Sequence, residues 1–300
     1  MKRFSAGYEG ELMLTASAPL STLRVLRPAP QRRIGDEWET LADAATTAEL
    51  ARILPRSDLA LKGKAYGTCA VVGGSGSLLL RRLGPAIDAH TLVMRVGVTP
   101  SRGFEASLGS KTNLRFSGDD DWGWHEHDSD LVLVRTQSRR TIEGIKSNSA
   151  STRPMALVAL DPGFESWIAA GLDLEAGDVV AATLLALHIC HSVTLYGAVP
   201  LPTWAQTPRF YHDRCAAAGG DPRREAAQWE VLKALAEAGL LSWGEPCVAE
   251  CVASETACAA CRAAQGIAPL PRPRCARADQ AAASDGDDVG RGQADAAKLR

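Results

Sequence analysis

Residues 69–80 read CAVVGGSGSLLL: a short β-branched run, then glycines alternating with serines, then three leucines. Few folds accept that order. The valines suit a strand buried on both faces, the glycines let the backbone turn sharply, and the leucines begin a new apolar element. The stretch therefore predicts a strand-to-helix turn. Runs that suit further strands follow at TLVMRV (91–96), TNLRFS (112–117), DLVLVRT (130–136), MALVAL (155–160) and SVTLYGA (192–198). LLLRRLGPAI is expected to be part helical. Between the last two strands, GDVVAATLLALHIC (177–190) is apolar almost all round and predicts a buried helix; REAAQWEVLKALAEAGLL (224–241) is amphipathic. Upstream, DEWETLADAATTAELARIL (36–54) has helical spacing, with Trp38, Leu41, Ala45 and Leu50 on one stripe, Asp36 as N-cap and Pro55 as stop. Strands alternating with helices predict an α/β domain on a mainly parallel sheet.

In such a sheet ligands sit beyond the carboxyl ends of the strands. A strand ending in VVGGSGS brings its backbone close to a phosphate, and the N–H groups of Gly74 to Ser77 are available to cup an anion. The spacing is G-G-x-G rather than G-x-G-x-x-G, and no P-loop lysine follows. A dinucleotide-binding oxidoreductase and a nucleoside triphosphatase are both disfavoured. A tight turn with no ligand is the plain alternative.

Basic and acidic residues nearly balance, 33 against 35, so no electrostatic footprint for nucleic acid or an anionic membrane is present. The 300 residues, 46% hydrophobic, suffice for one large core. No eighteen-residue apolar window predicts a membrane span, and the first residues make a poor signal peptide. From Ala263 onward large apolar residues almost vanish, which predicts a disordered tail. The expected division is a flexible segment over 1–35, a catalytic domain over 36–245, and a cysteine-rich stretch with the tail over 246–300.

Residues 69–112 as a whole resemble the large sialyl motif of the eukaryotic sialyltransferases, glycosyltransferase family 29. The matching landmarks are Cys69, Val71, Val72, Gly73, Ser75, Gly76, the Ile87-Asp88-x-His90 element, Val93, Arg95 and Pro100, then Gly103-Phe104-Glu105 and Gly109-Ser110-Lys111-Thr112. GDVVAATLLALHICHSVTLYGAVP (177–200) resembles the small sialyl motif through Gly177, Ala186-Leu187-x-x-Cys190, Val193 and Tyr196-Gly197. FYHD (210–213) resembles the third motif. The resemblance covers roughly residues 65–240.

It implies a Rossmann-like, mainly parallel twisted sheet flanked by helices, of a GT-A-like variety. It implies transfer of sialic acid from CMP-sialic acid to a hydroxyl of a glycan on a glycoprotein or glycolipid, with inversion and without a metal or other cofactor. Donor-binding residues would be Gly73, Gly74, Ser75, Gly76, Ser77, Arg95, Gly97, Gly177, Tyr196 and Gly197. A disulfide would join Cys69 to Cys190, the alternative being two buried free thiols. The expected compartment is the Golgi lumen. Family members carry a transmembrane helix ahead of the catalytic domain, and none is visible here, which fits a truncated sequence, a fragment or a protein that is not anchored.

Departures from the family pattern fall on the chemistry. Where the family has G-N-S-G-N, this chain has Gly73-Gly74-Ser75-Gly76-Ser77, and R-x-N-x-A-P becomes Arg95-Val96-Gly97-Val98-Thr99-Pro100. Three asparagines of the donor site are absent. The small motif opens on Leu174-Glu175-Ala176-Gly177 and lacks the family's hydroxyl residue. The fourth motif, H-x-x-x-x-E, aligns its glutamate with Glu230 and its histidine with Glu225. His212 and Glu225 are thus the two candidate bases, and a pseudoenzyme that keeps the fold as a binding module is the alternative to a transferase.

Two further clusters stand outside the motifs. Cys247, Cys251, Cys258 and Cys261 have spacing open to zinc, to disulfides or to a disordered cysteine-rich tail. His125, His127 and Asp128 alternate on a polar stretch and are weak candidate metal ligands. Trp122, Trp124 and Trp204 are the aromatic residues open to stacking on a sugar.

Overall fold

The computed structural model describes residues 7–18, 20, 23–26, 38–57, 64–172, 176–198, 207–213, 215, 221–268 and 270. A small antiparallel pair, β1 (Arg24–Leu26) and β2 (Trp38–Thr40), precedes α1 (Ala44–Ile53). The main body follows: β3 (Tyr66–Val72), a short 3-10 turn (Gly76–Leu80), α2 (Gly84–Asp88), β4 (Leu92–Val96), α3 (Glu105–Leu108), β5 (Leu114–Ser117) and β6 (Val132–Val134). Then come α4 (Arg139–Ser149), β7 (Leu157–Ala159), α5 (Pro162–Leu172), α6 (Asp178–Ile189), β8 (Cys190–Tyr196), α7 (Pro222–Glu237), β9 (Ser242–Trp243), α8 (Val248–Ala253) and α9 (Glu255–Ala264).

Seven strands form one parallel sheet in the order β7-β6-β5-β4-β3-β8-β9. The chain works outward from β3 to β7, then returns to the other side of β3 to lay down β8. The strand order reverses between β3 and β8, and in sheets of this class ligands bind at the carboxyl ends of strands at such a reversal.

The apolar runs are explained by burial on both faces. On one face Val71, Met94, Phe116 and Leu195 pack against Ala181, Leu185 and Ile189 of α6. Phe164 of α5 and Leu232 of α7 belong to the same core, so α6 is enclosed on all sides and needs no polar stripe. On the other face Ala70, Val72 and Val93 meet Leu78, Ile87 and Leu108. Further along the sheet, Val132 and Val134 meet Leu50, Ile142 and Ile145.

Cys69 and Cys190 are joined by a disulfide, with Cα atoms 6.1 Å apart and both side chains buried. The bond ties the carboxyl end of α6 to β3 across a sequence separation of 121 residues. Chain-entropy reasoning gives it about 4–5 kcal/mol of stabilisation.

The expected helix over 36–54 is shorter than its periodicity suggests. Trp38 lies in β2, and α1 starts only at Ala44, where Asp43 accepts the Thr46 N–H at 2.8 Å. That side-chain bond caps the helix and outweighs the apolar spacing upstream. Ala45 is exposed, while Thr46 and Leu50 face the core. The stop before Pro55 is as expected, with Leu54 as C-cap. Asp36, Pro28 and Pro30 lie outside the described residues, as do residues 271–300 and about half of the segment over 1–35. The cysteine-rich stretch is folded: Cys247, Val248, Cys251, Cys258 and Ile267 pack with Leu80, Trp229 and Trp243. α9 continues through Ala264, past the expected start of the tail.

Candidate functional site at the carboxyl edge of the sheet

The glycine loop leaves β3 at the point where the strand order reverses. Gly73 N–H donates to Tyr196 O at 2.8 Å and Ser75 N–H donates to Gly197 O at 3.0 Å. The two chain segments touch so closely that a Cβ on Gly73 would lie 2.5 Å from Gly197 O, and one on Gly197 would lie 2.7 Å from Gly73 O. Gly197 also has φ of +64°. Residues 207–213 then cross the loop as a strap. Gly76 N–H donates to Pro208 O at 3.1 Å, Tyr211 N–H donates to Gly74 O at 3.0 Å, and Ser75 pairs with Phe210. A Cβ on Gly76 would meet Pro208 O at 2.3 Å. The strap thus needs glycine at 76 for steric reasons.

These bonds change the account of the loop as an anion cup. The N–H groups of Ser75 and Gly76 serve the protein itself, and Ser77 N–H donates to Ser75 Oγ at 3.3 Å. Only Gly74 N–H within Gly74–Ser77 has no partner among the described residues. Among the described residues, the Gly74 N–H is thus the donor of this stretch left open to a ligand.

A buried acid that no motif pointed to holds the glycine loop and the end of β8 together. Glu245, just after β9, accepts Ser77 Oγ–H at 2.6 Å on Oε1 and Gly197 N–H at 3.0 Å on Oε2. Burial pushes its carboxyl up to about 7, against the opposing bonds from Ser77 and Gly197. Its one sequence signal is an acid set between the aromatic strand end and a cysteine, in WGEPC.

The matched motif residues divide into structural and open groups. Arg95 is fully buried. Its guanidinium donates to Thr112 Oγ1 (3.0 Å) and to the carbonyls of Leu108, Gly109 and Lys111 (2.9, 3.1 and 3.1 Å). Asp88 accepts the Ser110 and Lys111 N–H groups from the other side. Arg95 and Asp88 together shape the 108–112 turn. Gly177 caps α6 at a spot where a Cβ would meet Gln228 Oε1 of α7 at 2.1 Å. Tyr196 is buried, with its hydroxyl 3.2 Å from His90 Nε2. Gly97 ends β4 in the left-handed region, and Asp121 Oδ2 faces it. Leu174 and Glu175 lie outside the described residues.

The two candidate bases both connect to the strap. His212 is half-buried, stacked on Phe210 (centroids 5.5 Å, 25°) and edge-on to Tyr211 (5.2 Å, 80°). Burial holds its pKa below the ordinary histidine value, partly offset by Asp213. Its Nδ1 is buried without a hydrogen-bond partner among the described residues. Glu225, in the first turn of α7, is 42% exposed and ion-paired to Arg209 at 2.8 Å. Arg209 in turn lies over the Phe210 ring at 5.4 Å. The helix start and the strap are thereby linked. Glu230 points to solvent, 68% exposed.

The other clusters have structural partners. Cys247 is bonded to Cys261 and Cys251 to Cys258, so their sulfurs are not a zinc set, although Glu250 lies beside Cys247 and Cys261. Cys215 is also disulfide-bonded. His125 Nδ1 lies 2.8 Å from Gly123 O, and among the described residues His125, His127 and Asp128 do not converge as metal ligands. Trp124 lies under the Arg115 guanidinium at 4.4 Å, and Trp122 packs against Gly144. Trp204 is outside the described residues. Arg115 itself binds Asp130 and Glu126 at 2.5 and 2.8 Å. Its charge adds to donors from Ser101 and Arg102 that hold Glu126 at about 2 despite its burial.

Comparison with known proteins adds lineage to this geometry. Residues 27–139 match the family model described as glycosyltransferase family 29 (sialyltransferase). CMP-N-acetylneuraminate-beta-galactosamide-alpha-2,3-sialyltransferase 1 of Mus musculus is 28% identical over 174 residues, which is 51% of this chain and 51% of that enzyme. The chain thus spans about half the length of that relative. Beta-1,6-galactosyltransferase GALT29A of Arabidopsis thaliana is 41% identical over 58 residues, 19% of this chain and 15% of that one. A mammalian sialyltransferase solved in complex with Gal-beta-1-3GalNAc-ortho-nitrophenol shares the fold, with a TM-score of 0.59 and 20% identity over 78% of this chain and 90% of that chain.

Proposed function

This chain belongs to glycosyltransferase family 29, the sialyltransferase family, and on that premise we propose that it transfers a sugar from a nucleotide donor to a glycan hydroxyl. The donor is of the CMP-sialic acid class and the reaction inverts the anomeric centre. The observation that carries this reading is the reversal of strand order between β3 and β8. There the glycine loop, the end of β8 and the strap 207–213 close on one another through Gly74, Gly76 and Gly197. The nucleotide phosphate rests at the Gly74 N–H, and Glu245 sets the spacing of the loop and the end of β8.

In the transfer step the acceptor oxygen forms a bond to the anomeric carbon as the bond from that carbon to the phosphate oxygen breaks. The nucleotide leaves with that electron pair, and the acceptor proton passes to a base. His212 is that base. Its depressed pKa keeps it neutral and able to accept a proton at pH 7. Glu225 lies in solvent against Arg209 and orients the strap instead. The disulfides suit an oxidising lumen such as that of the Golgi. No helix among the described residues is long and apolar enough to cross a membrane.

A second reading, a pseudoenzyme that binds without turnover, is favoured by the ion-paired glutamate standing where the family has histidine. Sugar transfer from CMP-sialic acid to galactose-terminated acceptors separates the two. A nucleotide galactose serves as second donor, as the galactosyltransferase relative suggests. The transferase reading expects turnover that His212→Ala reduces by about 10²–10⁴-fold. Nucleotide binding without turnover from either donor supports the pseudoenzyme.

A further inference from the structure

Asp121 closes the turn after β5, on the carboxyl edge of the sheet. Its Oδ1 is fixed, accepting the Gly118 N–H at 2.7 Å with Ser117 Oγ 3.4 Å away. Its Oδ2 is buried and, among the described residues, has no hydrogen-bond partner. A buried carboxylate oxygen left unpaired is costly and calls for a partner. The direction of Oδ2 shows where that partner belongs. A Cβ built on Gly97 would lie 3.2 Å from Oδ2, with no other atom within 4 Å apart from those of its chain neighbours. Oδ2 therefore faces the position that a side chain on residue 97 would fill, at the end of β4, the strand hydrogen-bonded to β3. Neighbouring strands are about 4.8 Å apart, comparable to the span from a phosphate to the hydroxyls of its own ribose. Asp178 also sits nearby, its carboxylate 2.6 Å from a Cβ built on Gly118, and it is ion-paired to Arg135. Two carboxylates disfavour a phosphate at this spot and favour a neutral hydroxyl.

We infer that Asp121 is a ligand-reading residue whose Oδ2 hydrogen-bonds a ribose hydroxyl of the nucleotide, in the space that the glycine at position 97 leaves open. The inference rests on the donor reading above. It is tested by calorimetric titration of the full chain with CMP, 2′-deoxy-CMP and 3′-deoxy-CMP. Unmodified protein, Asp121→Asn and Asp121→Ala are compared, each checked for thermal unfolding. In the unmodified protein one of the two deoxy ligands binds about tenfold more weakly than CMP. Asp121→Ala binds CMP about tenfold more weakly and no longer distinguishes that pair, while Asp121→Asn, which keeps an acceptor, stays within about threefold. If Asp121→Ala does not fold, Asp121→Ser replaces it, because its short hydroxyl retains a polar group near Gly118 without reaching position 97. CMP affinity unchanged in the shortened variant, or hydroxyl discrimination that survives in it, overturns the inference alone. Failure of CMP to bind the unmodified chain overturns the donor reading and this inference together.

Discussion

His212 and Glu225 show how surroundings sort two candidate bases. The imidazole is pressed between Phe210 and Tyr211, and burial favours its neutral form. The carboxylate of Glu225 is 42% exposed and spends its charge on Arg209. Activity is thus expected to fall as pH drops through the lowered His212 pKa, below the ordinary histidine value of 6.5, where the base becomes protonated. A kcat/KM profile of the unmodified protein shows that acid limb. Glu225→Gln keeps the limb and changes kcat by less than about fivefold, since the residue acts through an exposed ion pair. An acid limb displaced by Glu225→Gln would move the base to Glu225. Glu245 makes an independent prediction. Its folded pKa is raised to about 7 from 4.5, so the folded state holds the proton more tightly than the unfolded chain. The stability this contributes is full below pH 4.5 and is lost as pH rises through about 7, of order 3 kcal/mol across that window. Denaturant unfolding at pH 5 and pH 8 is expected to show this difference shrink in Glu245→Gln. Equal slopes in both proteins would rule the assignment out. His212 could be singled out as a candidate because it sits in a motif, whereas Glu245 could not. Its partners Ser77 and Gly197 are distant in sequence, and only the return of β9 to the sheet brings the three together.

Among elements, the strap over the glycine loop is the part on which the site depends most. Gly76→Ala puts a methyl group 2.3 Å from Pro208 O, so loop and strap must separate. The expected cost is about 1–3 kcal/mol of stability, with a larger loss of nucleotide affinity. Chemical denaturation and titration of the same variant with CMP measure both. Unchanged affinity would show that the strap is not part of the binding site. Strands and the buried α6 were legible because parallel strands enclosed on both faces read as unbroken apolar runs. The start of α1 was not, because Trp38 and Leu41 continue the helical spacing upstream of a cap that only the Asp43–Thr46 bond reveals. The helices α8 and α9 were hidden among cysteines whose spacing fits zinc as well as disulfides, and their packing on Trp229 and Trp243 decides for a folded hairpin.

Across the whole molecule, a seven-stranded sheet reverses its order at β3 and β8, and the Cys69–Cys190 bond ties the start of β8 to the middle of β3, away from the carboxyl edge. Replacing both cysteines by alanine is expected to lower stability by about 4 kcal/mol while leaving CMP affinity within about threefold, because the bond constrains the unfolded chain. Loss of CMP binding in a folded double variant would instead make the bond part of the site. The order of strands was not readable, since local apolar patterns say which segments are strands and not which are neighbours. The site at the carboxyl edge was readable only as glycines that needed a reason. The most direct test of its role is hydrogen–deuterium exchange of the full chain with and without saturating CMP. Bound CMP is expected to slow exchange at Gly73–Ser77, at Gly97 and across the strap 207–213, with little change in α4 or α9. Protection confined to other regions, or none at all under saturating CMP, would contradict it.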